Sequence, residues 1–327
     1  MTDYGIKQAP VSHDEQETLF PPMPQASGRS SLAALDELFT LTKQYRSKRS
    51  YHELLQFVAR FRFYSPYNAM LVHVQRPGST FVASPSRWLK AYHRTIRPGA
   101  QPLVILQPKG PVMFVFDVSD TEPEKNAPPL PMQVVNPFEV RRGTVGKELE
   151  CVVENAKRDG IRITERNAGS QSAGQIGPSK SSVFLDFKVK VRPKPDYVKV
   201  QLRYELLLND RHSREVRYAT IAHELAHLYC GHLGSPNPDW WPDRSNYDKT
   251  AREMEAESVC YLVCQRIGID NPSEQYLADY LDKDGNVPPI SLEAVMKAAG
   301  LIEQMGRERM QPRKEKEAKK AKNSDLT

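Results

Sequence analysis

Five residues constrain this chain more than any others: His223-Glu224-Leu225-Ala226-His227, inside an apolar-periodic run from Tyr218 to Cys230. On a helix, two histidines at i and i+4 lie one turn apart on the same face, the bite that sets two imidazole nitrogens on one Zn²⁺. Glu224 follows the first histidine and is placed to take a proton from a water activated at the ion. The pattern predicts a helix from about Arg214, one Zn²⁺ per chain, His223 and His227 as ligands and Glu224 as the catalytic base.

A catalytic site needs a third protein ligand. His232 stands nine residues after His223 and falls on the opposite side of a continuous helix, so it reaches the ion only if the helix breaks, for which Gly231 offers a place. Its spacing also misses the HExxHxxGxxH arrangement, and we read it as a polar residue at the helix end. The run Thr250 to Cys264 gives a second helix with Glu253 and Glu257 four apart. Glu253 is read as the third ligand and Glu257 as its neighbour behind, holding a ligand imidazole in its tautomer. Glu255 points away, and Cys260 and Cys264 are read as core beneath the site.

At 327 residues the chain has room for two cores. Its apolar runs are far shorter than the twenty or so residues of a membrane span, so no membrane partner is expected. The N-terminal residues carry no secretory signal, and four cysteines (Cys151, Cys230, Cys260, Cys264) make no disulfide scaffold. The expected location is cytoplasmic. Residues 1–30 are polar and proline-punctuated, a disordered lead-in. Apolar spacing predicts helices over 31–41, over 51–63, after Pro66 and around Trp88, with strands near 81, 103–106 and 113–116. The proline-rich stretch 121–138 reads as a linker between units 31–120 and 139–305. The second unit opens with a helix over 144–158 and strands near 161–164, 183–187 and 198–208, and residues 306–327 form a basic tail. The expected class is α+β, in two domains.

Charge is unevenly spread. Leu41 to Gly110 holds twelve Lys and Arg against Glu53 alone, +11 in a chain whose total is +6. Aromatic residues are interleaved with these cations. Single-stranded nucleic acid suits that mixture, since cations follow phosphates and flat rings stack on unpaired bases. The contact candidates are Arg60, Arg62, Tyr64, Tyr67, Arg87, Trp88, Lys90, Tyr92, Arg94 and Arg97. Phe57 and Phe61 sit on the apolar helix face and read as core. For Tyr64, Tyr67, Trp88 and Tyr92, stacking and burial are both open.

Two resemblances follow. His223 to Gly234 with Arg252 to Ser258 resembles the ImmA/IrrE-like zincin metallopeptidases, which implies a glutamate third ligand at the position of Glu253. Tyr229, His232 and Tyr247 are all conceivable oxyanion partners. Segments 64–71, 88–102 and 115–122 resemble the N-terminal single-strand-binding domain of ArdC-type antirestriction proteins, which carry a zincin domain after it. Together these imply a small α+β domain that binds single-stranded DNA, followed by a zincin-like metallopeptidase domain acting on DNA-associated proteins, with antirestriction or mobile-element protection as the role. A non-catalytic DNA-protection factor with structural zinc, and a protease cutting a repressor, remain open beside it.

Overall fold

Ser47, Ser65 and Ser84 each turn a side-chain oxygen back onto the main chain, accepting from the N–H of Ser50, Asn68 and Arg87, and proline fills the first turn after two of them. These caps start helices α1 (Lys48–Arg60), α2 (Pro66–Gln75) and α3 (Pro85–Tyr92). The computed structural model describes residues 45–107, 110–130, 143–166, 174–190, 193–269, 277 and 280–313. The expected lead-in 1–30 and helix 31–41 lie outside them.

Strand β1 is Val82–Ala83, β2 Arg94–Ile96, β3 Leu103–Gln107, β4 Gly110–Asp117 and β5 Thr121–Pro123. One antiparallel sheet has the order β1-β4-β3, and β2 pairs with β5. Alternation along β4 sends Val115 to the main core and Phe116 to a small second cluster with Phe81, Ala83 and Trp88.

The second half begins with α4 (Glu148–Ala156), whose chain turns at Gly160, φ +76°. Strands β6 (Ile161–Arg166), β7 (Gly174–Pro178), β8 (Phe184–Lys190), β9 (Asp196–Gln201) and β10 (Tyr204–Asn209) follow. β10 is central in its sheet, parallel to β6 (Leu206 opposite Ile163) and antiparallel to β7 (Leu206 opposite Ile176). β8 and β9 form a separate hairpin. Helices α5 (Arg214–Tyr229), α6 (Lys249–Ile267) and α7 (Leu292–Arg307) complete the fold, which is mixed α+β.

The core does not divide at the proline-rich stretch. Tyr51, Leu54, Leu55 and Val58 of α1 and Met70 and Leu71 of α2 belong to the same buried cluster as Ile221 and Leu225 of α5, Val259 of α6 and Ile302 of α7. Tyr51 donates its hydroxyl to Ser258 at 2.6 Å. Buried Arg266 of α6 donates to the carbonyls of Val58 (2.7 Å), Phe61 (3.0 Å) and Tyr64 (2.6 Å), and pairs with Glu303 of α7 at 3.0 Å. Proline breaks local hydrogen-bonding patterns but says nothing about which faces later meet, and among the described residues one buried cluster draws on both sides of the stretch.

Three smaller corrections accompany it. Thr121–Pro123 is a strand and not the start of a linker, while 131–138 lies outside the described residues. The stretch 198–208 is two strands, parted at Leu202 and Arg203. The expected tail does not start free: Met310 is buried and Arg313 pairs with buried Asp159. Residues 314–327 are outside the described set. Among the described residues, no helix is long and apolar enough to cross a membrane.

Candidate metal centre

Ser213 caps α5 by accepting from the N–H of Val216, and Asp248 caps α6 by accepting from that of Ala251. The two helices pack side by side, so the face of α5 bearing His223 and His227 meets the face of α6 bearing Glu253 and Glu257. Nε2 of His223 and Nε2 of His227 are 3.2 Å apart. Oε2 of Glu253 is 3.7 Å from the first and 3.5 Å from the second. Two ligands about 2.0–2.1 Å from one tetrahedral ion must stand roughly 3.3 Å apart, so this triangle has the size a single small divalent cation requires. The three side chains are 20%, 15% and 28% exposed, so each is partly buried and still reached by solvent.

Nδ1 of His223 faces Oε1 of Glu257 at 3.2 Å. Burial by itself would lower this imidazole, but the hydrogen bond and charge of Glu257 raise it to about 9. Glu253 is held below the usual carboxylate range chiefly by its hydrogen bond with His227. The site therefore favours positive charge, and a bound cation would take the place of a proton. Glu224 lies on the same helix with its carboxylate accepting from the N–H of Ile176 in β7 at 2.9 Å. β7 is the edge of its sheet among the described strands, so the proposed base sits beside a sheet edge.

The end of α5 is where sequence reasoning fell short. Gly231 adopts φ +86°, and the N–H of Gly231 and of His232 donate to the carbonyls of Leu228 (2.9 Å) and His227 (2.8 Å). This paired closure reverses the chain and brings His232 back against the helix it has just left. His232 does not join the triangle. Its Nδ1 lies 3.0 Å from Nδ1 of His227, and its Nε2 lies 2.9 Å from Oε2 of Glu255. Glu255 does turn away from the triangle, but into the interior, where it is fully buried and accepts from both terminal nitrogens of Arg244 (2.6 Å each) and from the N–H of Ser291 (2.7 Å). Burial would raise this carboxylate, and its bonds to His232 and Arg244 bring it below the ordinary value instead. Burial holds the His232 imidazole low. Gly231 followed by a polar residue was the available signal, since glycine just past a helix end permits this reversal.

Of the three conceivable oxyanion partners, Tyr229 is buried with its hydroxyl on Asp159, His232 is enclosed as described, and the Tyr247 hydroxyl donates to the carbonyl of Pro289. Cys260 and Cys264 are buried and form no disulfide, and the Cys260 thiol donates to the carbonyl of Ala219 at 3.3 Å.

The aromatic candidates in the basic segment separate. Trp88 is 0% exposed, its indole N–H donates to the carbonyl of Phe116 at 2.8 Å, and its ring packs near Phe81 and Tyr92. Tyr67 is buried as well. Both are core, Tyr67 in the main cluster and Trp88 in the smaller one. Tyr64 is partly buried with its hydroxyl on Val82, and Tyr92 is half-buried. Arg62 donates to the carbonyl of Gln265, and Arg94 to Thr121. Arg60, Arg87, Lys90 and Arg97 are exposed, with Arg97 near Glu122. Two outward rings were not among the contact candidates: Phe63 in this segment, 49% exposed, and Phe114 just beyond it, 40% exposed. Strand alternation would have found Phe114, since Val115 beside it faces the core.

The sequence profile of the IrrE N-terminal-like domain, a peptidase family, matches residues 157–262, which hold α5, the triangle and the β6-β10-β7 sheet. This part of the chain is thus metallopeptidase-like. Among solved structures, that of the antirestriction ArdC protein from the R388 plasmid, in metal-free form, is similar at 15% identity and a TM-score of 0.32, over 78% of this chain and 94% of that one. A likeness at that score does not define a fold. No curated protein matches.

Proposed function

We propose that the chain is a zinc-dependent peptidase that binds single-stranded DNA and acts on proteins associated with it. The observation that carries the enzymatic reading is the triangle of His223, His227 and Glu253, with Glu224 beside it. A structural zinc site is closed by four protein ligands, whereas three ligands reached by solvent leave a position for chemistry. Zinc held there supplies Lewis acidity, polarising a carbonyl and making water acidic enough to attack it at neutral pH. His223 and His227 present Nε2, with Glu257 accepting the Nδ1 proton of His223. Glu224 receives the proton released by the attacking water and returns it to the leaving amine. The N–H of Ile176 engages Glu224 from the edge of β7, so an extended peptide added to that edge would bring its carbonyl next to the base.

The DNA-binding part rests on the +11 charge of residues 41–110, in which Arg60, Arg87, Lys90 and Arg97 are exposed, and on the outward rings Phe63 and Phe114. The test of the enzyme is Glu224→Gln against wild type, with metal content and cleavage of DNA-bound proteins both measured. The variant is expected to retain close to one zinc and lose cleavage. Undiminished cleavage by folded Glu224→Gln would remove Glu224 as the base and the mechanism built on it, whereas a zinc-loaded wild type that cleaves nothing would leave a non-catalytic DNA-bound factor with zinc as its structural ion. In the same assay Glu253→Ala should lose most of its metal; full occupancy there would show that the third ligand lies elsewhere.

A further inference from the structure

Cys230, His232 and Glu255 form a second group of ligand types, all buried, outside the triangle. A second ion does not fit them. The Arg244 guanidinium already takes both Glu255 oxygens, and burial pushes the Cys230 thiol far up, which keeps it protonated.

A different role follows from the direction of the hydrogen bonds. Arg244 can only donate, so both Glu255 oxygens accept from it. An ionised Glu255 is itself acceptor only, so Nε2 of His232 must carry the proton in the 2.9 Å contact between them. That leaves Nδ1 of His232 as a lone pair, pointing at Nδ1 of His227 3.0 Å away. His227 must then carry its proton on Nδ1, and its Nε2 faces the triangle as a lone pair. Every proton in the chain is assigned from the arginine inward.

We propose that His232 is a positioning residue of the metal centre: relayed from Arg244 and Glu255, it fixes the tautomer and ring orientation with which His227 meets the ion. The inference rests on the reading of His223, His227 and Glu253 as a zinc site. The two histidine ligands are then supported differently. His223 has a carboxylate directly behind it, whereas His227 has a neutral imidazole whose own anchor is neutralised by Arg244. The relay therefore sets geometry without adding net negative charge behind the second ligand. The main chain holds the parts in place: the N–H of Arg244 donates to the carbonyl of Gly231 at 2.8 Å, and its side chain donates to that of Cys230 at 3.1 Å.

The test measures zinc affinity of the full chain by competition with a chromophoric chelator, in wild type and in His232→Ala, His232→Asn and His232→Gln. Loss of a partner behind a ligand histidine typically lowers metal affinity about 10- to 100-fold, and His232→Ala should fall in that range. The Asn side-chain oxygen sits where Nδ1 was and can accept from His227, so His232→Asn should recover most of the affinity. Gln reaches toward Glu255 instead and should stay near the alanine value. The visible absorption of the cobalt-substituted protein, which reads ligand geometry, should shift in the Ala and Gln proteins and return in Asn. Melts of the metal-stripped proteins separate folding from binding, and if His232→Ala does not fold, the Asn and Gln pair decides. Affinities within twofold of wild type for all variants would overturn the relay, as would equal recovery by Gln and Asn. Wild type that takes up no zinc is a different failure, since it removes the metal centre itself.

Discussion

Replacing Trp88 separates burial from DNA contact. Its ring is fully enclosed, edge-on to Phe81 at 5.5 Å and 5.2 Å from Tyr92, and its N–H is spent on Phe116. Trp88→Ala leaves a cavity in a small cluster whose other buried members, among the described residues, are Phe81, Ala83 and Phe116, and such truncations cost about 3–5 kcal/mol. At about 4 kcal/mol the melting midpoint should drop by roughly 10 °C. Trp88→Phe keeps a ring but loses the indole hydrogen bond to the Phe116 carbonyl, which still has its strand partner, at about 0.5–1.5 kcal/mol. Phe63 is the contrasting case, half-exposed, with an edge-on ring contact to Phe81 at 5.1 Å. Phe63→Ala should cost about 1 kcal/mol of stability yet weaken single-stranded DNA by about 1–3 kcal/mol if that ring stacks on a base. The assays are thermal melts and fluorescence anisotropy with a labelled thymidine oligomer, run well below each midpoint. Binding should survive in Trp88→Phe and fall in Phe63→Ala. A Trp88→Phe protein that melts like wild type but has lost DNA binding would refute the argument, because only a ring that reaches the ligand behaves so.

Gly231→Ala should destabilise the protein by at least about 1 kcal/mol, since the residue stands at φ +86° and a Cβ there would lie 2.1 Å from the carbonyl oxygen of Pro242; melting and zinc titration should both register it, because the same turn carries His232. His73 is buried with Nδ1 unpartnered and its imidazole lowered to about 4, burial being the main cause. A group whose folded value lies below its unfolded one contributes stability above the unfolded pKa and loses it as pH falls toward the folded value, so wild type should lose about 2 kcal/mol between pH 7 and pH 5 from this residue. Denaturant titrations of His73→Phe over the same range should lack that part of the slope, and an unchanged slope would show that His73 titrates normally.

Parts of the site were legible because they are local. His223 and His227, like Glu253 and Glu257, stand four apart on helices whose apolar spacing is clear, and helical geometry then fixes which atoms share a face. What brings the two pairs together is tertiary and has no such periodicity. His232 shows the difference well: its position depends on a turn closed by main-chain bonds after Gly231, and counting along a continuous helix put it on the wrong side. Glu255 was discounted for pointing away from the ion, although burial next to an arginine is informative wherever it occurs. β7, Gly174–Pro178, has one large apolar residue, Ile176, and so lacks the alternation that marks strands; its neighbour β10 makes it one. Trp88 was left open between stacking and burial and Phe63 was not singled out, since polar neighbours in sequence do not report which side of a short helix or turn faces inward.

Arg266 and Glu253 are thirteen residues apart on α6, which at 1.5 Å per residue is about 20 Å of straight helix. One end of this rod carries the third metal-binding candidate, and the other is bolted through Arg266 to the carbonyls where α1 ends and α2 begins. A tilt of roughly 3° pivoting at Arg266 would sweep Glu253 through about 1 Å, beyond the ~0.5 Å within which a ligand set holds its geometry. Cutting the chain near residue 130 would therefore do more than remove the basic N-terminal half. It would take away the abutment against which the metal-bearing helix is aligned, so loss of zinc in such a truncation would report on alignment and not on a missing ligand.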